Sequence, residues 1–144
     1  MNTCLQFSDA IIRAIEHPAN GVLGLVDELL ALCPEQGLRL EWRTDHCCVL
    51  LPSENGQDTS LPVSIRKSVL RAILARFAAL CNARSPNSVS PYGGEGILSA
   101  NDPAKGFRVA FVNTPALQML ELLPEALPTP AREDIRDDVV GAVR

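Results

Sequence analysis

The segment Val89-Ser90-Pro91-Tyr92-Gly93-Gly94-Glu95-Gly96 places three glycines within four residues, beside the only tyrosine of a 144-residue chain. Glycine-rich turns do chemistry when their backbone N–H groups converge on an anion, and such phosphate cradles follow a strand and open a helix. This segment runs the other way, from a predicted helix into a predicted strand. It carries neither the lysine and hydroxyl of a P-loop nor the spacing of a dinucleotide fingerprint. The structural reading is that the glycines permit positive φ or a bulge at the strand entrance. A ligand-binding reading stands beside it, because long irregular loops in small domains are often functional. In that reading Tyr92, Gly93, Gly94, Glu95 and Gly96 contact a small anionic ligand or nucleotide, and Arg66 or Arg71 supplies the charge.

Charge is segregated along the chain. Residues 1–61 hold nine acids against three bases, whereas residues 62–84 hold Arg66, Lys67, Arg71, Arg76 and Arg84 with no acid. The functional reading is an anion or acidic-partner site on a basic helix. The plainer reading, which the scattered angles of these side chains around the helix favour, is internal pairing with the acidic N-terminal half or tail, each surface pair contributing about 0–1 kcal/mol.

His46-Cys47-Cys48 has metal- and thiol-type residues at the wrong spacing. Strand alternation sends His46 and Cys48 to one face and Cys47 to the other, so the three cannot hold one ion. The five cysteines are odd in number and sit mostly among apolar residues, as reduced thiols filling space do. Asp27-Glu28 and Asp137-Asp138 are adjacent in sequence and point apart on a helix. No G-x-S-x-G elbow surrounds any serine. No catalytic residue, metal site or cofactor is expected.

The elements that would carry these residues follow from periodicity. Ser8 is read as the cap of a first helix bearing Ile11, Ile12 and Ile15, stopped at His17-Pro18. Asn20 starts a second, with Val22, Leu25, Val26, Leu29, Leu30 and Cys33 on one stripe, ended by Pro34. After Gly37 the period becomes two: 38–43 and 46–51 form a hairpin about Thr44-Asp45. The segment 52–60 leads out of the sheet. Ser60 is read as the cap, and Pro62 as a first-turn residue, of the longest helix, 62–84. Its apolar arc includes Leu70, Ile73, Leu74, Phe77 and Cys81, while Ala72, Ala75, Ala78 and Ala79 back it. A solvated helix back normally carries Glu, Lys and Gln, so Ala72, Ala75 and Ala79 point to a second close neighbour. Three further strands follow, the last of them, "LQMLELL" closed by Pro124, read as a strand in preference to a helix.

The fold class expected is therefore α+β, with the order α-α-β-β-α-β-β-β: an N-terminal helical hairpin, then an antiparallel sheet built from a β-hairpin, the long helix and a β-meander. Residues 1–123 are read as one domain, and 124–144 as a proline-rich acidic tail or short docking helix.

Apolar residues make up 47% of the chain and aromatics 4%, and the net charge is −4, which oppose nucleic-acid binding by stacking or phosphate neutralisation. No apolar run reaches the ~18 residues of a membrane span, and no basic n-region of a secretory signal opens the chain, so a cytoplasmic protein is expected. These features favour a non-enzymatic protein-binding or assembly module of a cytosolic complex, self-associating through the helix 62–84 or a sheet edge. In general shape it is similar to small acidic secretion chaperones, a likeness of architecture that no motif carries.

Overall fold

The computed structural model describes residues 2–52, 56–99 and 105–126, with residues 2–7, 105 and 126 described as backbone only. It is an α+β fold: α1 (Asn2–Glu16), α2 (Gly21–Leu32), β1 (Leu38–Arg43), β2 (His46–Leu51), β3 (Thr59–Val63), α3 (Lys67–Arg84), β4 (Gly93–Ser99), β5 (Lys105–Asn113) and β6 (Gln118–Ala126). The six strands form one antiparallel sheet in the order β3-β2-β1-β6-β5-β4. Two three-stranded meanders thus meet along the β1–β6 pair, where Leu40 lies between Val49 and Leu120.

Alternation sorts the sheet into two faces. Leu38, Leu40, Cys47, Val49, Val63, Phe107, Val109, Phe111, Leu120 and Leu122 fall on one face and are buried under the helices in a single core. The partner residues Arg39, Glu41, Leu50, Arg108 and Glu121 fall on the other, which no described helix covers. Against the inner face, α3 lays Leu70, Ile73, Leu74, Phe77 and Cys81, each fully buried. The α2 stripe of Leu25, Val26, Leu29 and Leu30 is buried with it.

Three sequence expectations need correction. Ser8 does not cap α1 but is buried in its interior: nothing between Asn2 and Phe7 breaks a helix, so the helix extends N-terminal to it. Residues 59–63 are a strand, so the long helix begins at Lys67 and not at 62, with extended Arg66 as its N-cap. Leu61 and Val63 pair across from Val49 and Cys47. A proline that suits a first helical turn suits an edge strand equally, since in both places its missing N–H is not needed. Pro124 does not close the last strand, which runs on to Ala126. By alternation the Pro124 nitrogen faces the β1 side, and the β1–β6 pairing has already ended at Leu38↔Leu122, so no ladder bond is lost. The suggested docking helix in the tail lies outside the described residues.

Candidate functional site

The segment 93–96 is not a loop. Gly93 and Gly94 enter β4 with φ of +154° and +148°, which only glycine adopts freely. A short turn sets this entrance: Ser90 N donates to Gly93 O at 3.2 Å, Gly93 N to Ser90 O at 3.3 Å, and Tyr92 N to Ser90 Oγ at 3.0 Å. Further along, a Cβ on Gly94 would come within 3.0 Å of Val89 Cγ1, and one on Gly96 within 2.9 Å of Cys81 Sγ. The glycines let α3 and the 85–92 connection press against the sheet edge. Their N–H groups do not converge. Gly93 is bonded to Ser90, while Gly94 and Gly96 face β5 in the ladder opposite Phe111 and Val109.

The residues predicted to share that site are only partly brought together. Arg71 Nε donates to Asn113 Oδ1 at 3.0 Å, Asn113 Nδ2 donates to Arg71 O at 3.3 Å, and Asn113 N donates to Tyr92 O at 2.8 Å. Arg71 therefore lies beside the backbone of exposed Tyr92, but its Nε is engaged in fastening α3 to β5. Arg66 lines a different feature, an open cleft of about 600 Å³ with Glu16, Asp45, His46 and Ser64, to which none of residues 92–96 contributes. Glu95 borders a third, a depression of about 200 Å³ on the outer sheet face with Arg39, Arg108 and Glu121.

Among the described residues the basic side chains of α3 form no ion pair with the acids of the N-terminal half, and most of the acidic tail expected as their other partner lies outside the described residues. Among the described residues the ion pairs are Arg39–Glu41 (3.7 Å), Arg43–Glu41 (2.6 Å), His46–Asp45 (2.8 Å) and Arg108–Glu125 (2.9 Å), none of them on α3. Instead Arg84 Nη1 donates to Ser99 Oγ at 2.6 Å, and Lys67 Nζ lies 5.9 Å from the centre of the Trp42 ring. Among the described residues no carboxylate forms an ion pair with the positive charge of the helix.

The back of α3 is open. Ala72, Ala75, Ala79 and Ala83 are exposed at successive turns, whereas Ala78 has turned inward and is buried. The second neighbour that the alanines implied is not supplied by any described residue.

His46 and Asp45 are exposed turn neighbours. Cys33, Cys47, Cys48 and Cys81 are buried free thiols. Burial pushes the Cys47 thiol up to about 12 and raises Cys81 as well, so both are poor nucleophiles at neutral pH. Cys48, unlike Cys47, faces the outer side of the sheet between Glu41 and Pro62, buried but outside the cluster packed under the helices. No three His, Cys, Asp or Glu side chains among the described residues converge on a common point, and no described helix is long and apolar enough to cross a membrane.

Comparison with known proteins finds no matching family model, no matching curated protein and no matching solved structure.

Proposed function

We propose that this chain is a non-enzymatic protein-binding or assembly module, a chaperone-like adaptor of a cytosolic complex that associates with itself or with a protein partner. The observation that carries the reading is the exposed stripe Ala72, Ala75, Ala79 on α3. Small side chains let a second helix or strand approach closely, and Lys67, Arg71 and Arg84 along the same helix, which pair with no carboxylate among the described residues, suit a partner with acidic flanks.

The test is Ala75→Glu, followed by light scattering after size exclusion and by capture of the partner. Ala75 is exposed, so the variant loses only about 0.5 kcal/mol of helix propensity and stays folded. Association is expected to fall with the far-UV dichroism unchanged. Association that survives both Ala75→Glu and Ala79→Glu would remove the alanine stripe as the contact surface.

A further inference from the structure

The sheet has two edges, and they differ in what they offer a neighbouring strand. The orientation of each strand is fixed by a few bonds. Asn113 N donates to Tyr92 O, while the main-chain groups of Gly93 turn away from β5 to bond Ser90. Since these directions alternate along a strand, Gly94, Gly96 and Leu98 bond β5, and the N–H and C=O groups of Glu95, Ile97 and Ser99 point out of the sheet. Among the described residues none of these three main chains has another hydrogen-bond partner.

The same alternation carried across the registers of β6, β1 and β2 turns Ser60 and Pro62 outward on β3. Pro62 has no N–H to give, so that edge is blunted in the way natural edge strands usually are. Edge strand β4 has no proline and no lysine over its 7 residues, and Ile97 stands on it as an exposed large apolar side chain.

We infer that β4 is a strand-pairing edge whose occupant is β4 of a second copy of this chain, joined antiparallel about a two-fold axis through Ile97. This rests on the assembly reading above and adds the β4 edge to the alanine stripe as a second contact. Register decides the centre. An axis at Ile97 pairs Ile97 with its own copy and Glu95 with Ser99 of the other chain, so all three free residues find partners, and three such pairs exchange about six hydrogen bonds. An axis at Glu95 would set two carboxylates face to face. An axis at Gly96 would leave Ser99 opposite Gly93, whose groups are already bonded to Ser90. The self-complementary choice covers exposed Ile97 and opposes no like charges, as an isologous contact requires.

The test is the solution mass of the chain across a dilution series, with amide hydrogen exchange read at Glu95, Ile97 and Ser99. The edge variants are Ile97→Lys, which places two ammonium groups at the axis, and Ile97→Pro, which removes a donor that no bond among the described residues uses. The wild type is expected to approach twice the monomer mass as concentration rises, with these three amides slowed about tenfold or more, and both variants are expected to weaken association about tenfold or more. If Ile97→Pro disturbs the fold, Ile97→Lys alone decides. A wild type that stays monomeric, or a dimer that persists in Ile97→Lys, overturns the β4 contact. A dimer lost in Ala75→Glu but kept in Ile97→Lys overturns it too, while leaving the assembly reading in place.

Discussion

Adding one methyl group at Gly96 should reveal how tightly α3 is seated on the edge of the sheet. The new Cβ would lie 2.9 Å from Cys81 Sγ and 3.1 Å from Cys81 Cβ. Carbon and sulfur prefer about 3.5–4 Å, so the gap is short by roughly half an ångström or more. Cys81 cannot easily give way. It is fully buried, and its carbonyl accepts from Ser85 N at 3.0 Å and from Ser88 Oγ at 3.1 Å, which hold the last turn of α3 in place. Overpacking of this kind costs about 1–3 kcal/mol. Loss of glycine's freedom in the unfolded chain returns about 0.4–1 kcal/mol, because φ at Gly96 is not in the glycine region. The net expectation for Gly96→Ala is a loss of about 1–2 kcal/mol, which for a chain of this size lowers Tm by roughly 3–8 °C. Urea and thermal unfolding followed by circular dichroism measure it. Cys81→Ala removes the nearer of the two contacts, so the double variant should be more stable than additivity predicts by about 0.5 kcal/mol or more. A neutral Gly96→Ala, or strict additivity in the cycle, would show that contact with Cys81 is not why this position is glycine.

Two further expectations concern groups that the fold engages. Asn113→Ala removes both bonds to Arg71 and leaves its half-buried guanidinium unpartnered, so a loss of about 1–2 kcal/mol is expected in urea unfolding, with no change in solution mass. A loss below about 0.5 kcal/mol would mean water replaces the asparagine without cost. For Cys47 the sign follows from linkage. The folded thiol is raised to about 12 from an ordinary 9.0, so above pH 9 the unfolded chain releases a proton that the folded chain keeps, and stability falls as pH rises between those values. The slope approaches about 1.4 kcal/mol per pH unit for this one group, and nothing is contributed below pH 9. Cys47→Ala should flatten that alkaline limb; an identical slope in the variant would contradict a buried neutral thiol at this position.

Much of the fold was legible because its signals are local. The stripe Leu25, Val26, Leu29, Leu30 needs only the helical period, and the alternation of Leu38 and Leu40 with Arg39 and Glu41 needs only the strand period. The alanine back of α3 was legible as a pattern but was read as covered by a close neighbour; that Ala72, Ala75 and Ala79 are exposed and Ala78 is buried came from the structure. What escaped was β3. "TSLPV" carries a cap residue and a proline in the positions a helix start requires, and nothing within it says that Val49 and Cys47 will lie alongside. The positive φ of Gly93 and Gly94 at the strand entrance was legible, but the close approach at Gly94 and Gly96 escaped, because their neighbours, Val89 and Cys81, come from a connection and a helix turn that sequence spacing cannot place against them.

The sequence by itself determined the class of fold, the apolar faces of the helices and strands, and the segregation of basic residues onto one helix, since each depends on side-chain type and a short-range period. Only the tertiary structure decided that β1 pairs with β6, that Pro62 lies on one outer edge and Glu95, Ile97 and Ser99 on the other, and that Arg71 and Arg66 part company. The reason is physical: strand order, edge exposure and the partner of a long polar side chain are settled by which distant surfaces meet. Those contacts are fixed by the packing of the whole core, to which no single stretch of chain holds the key.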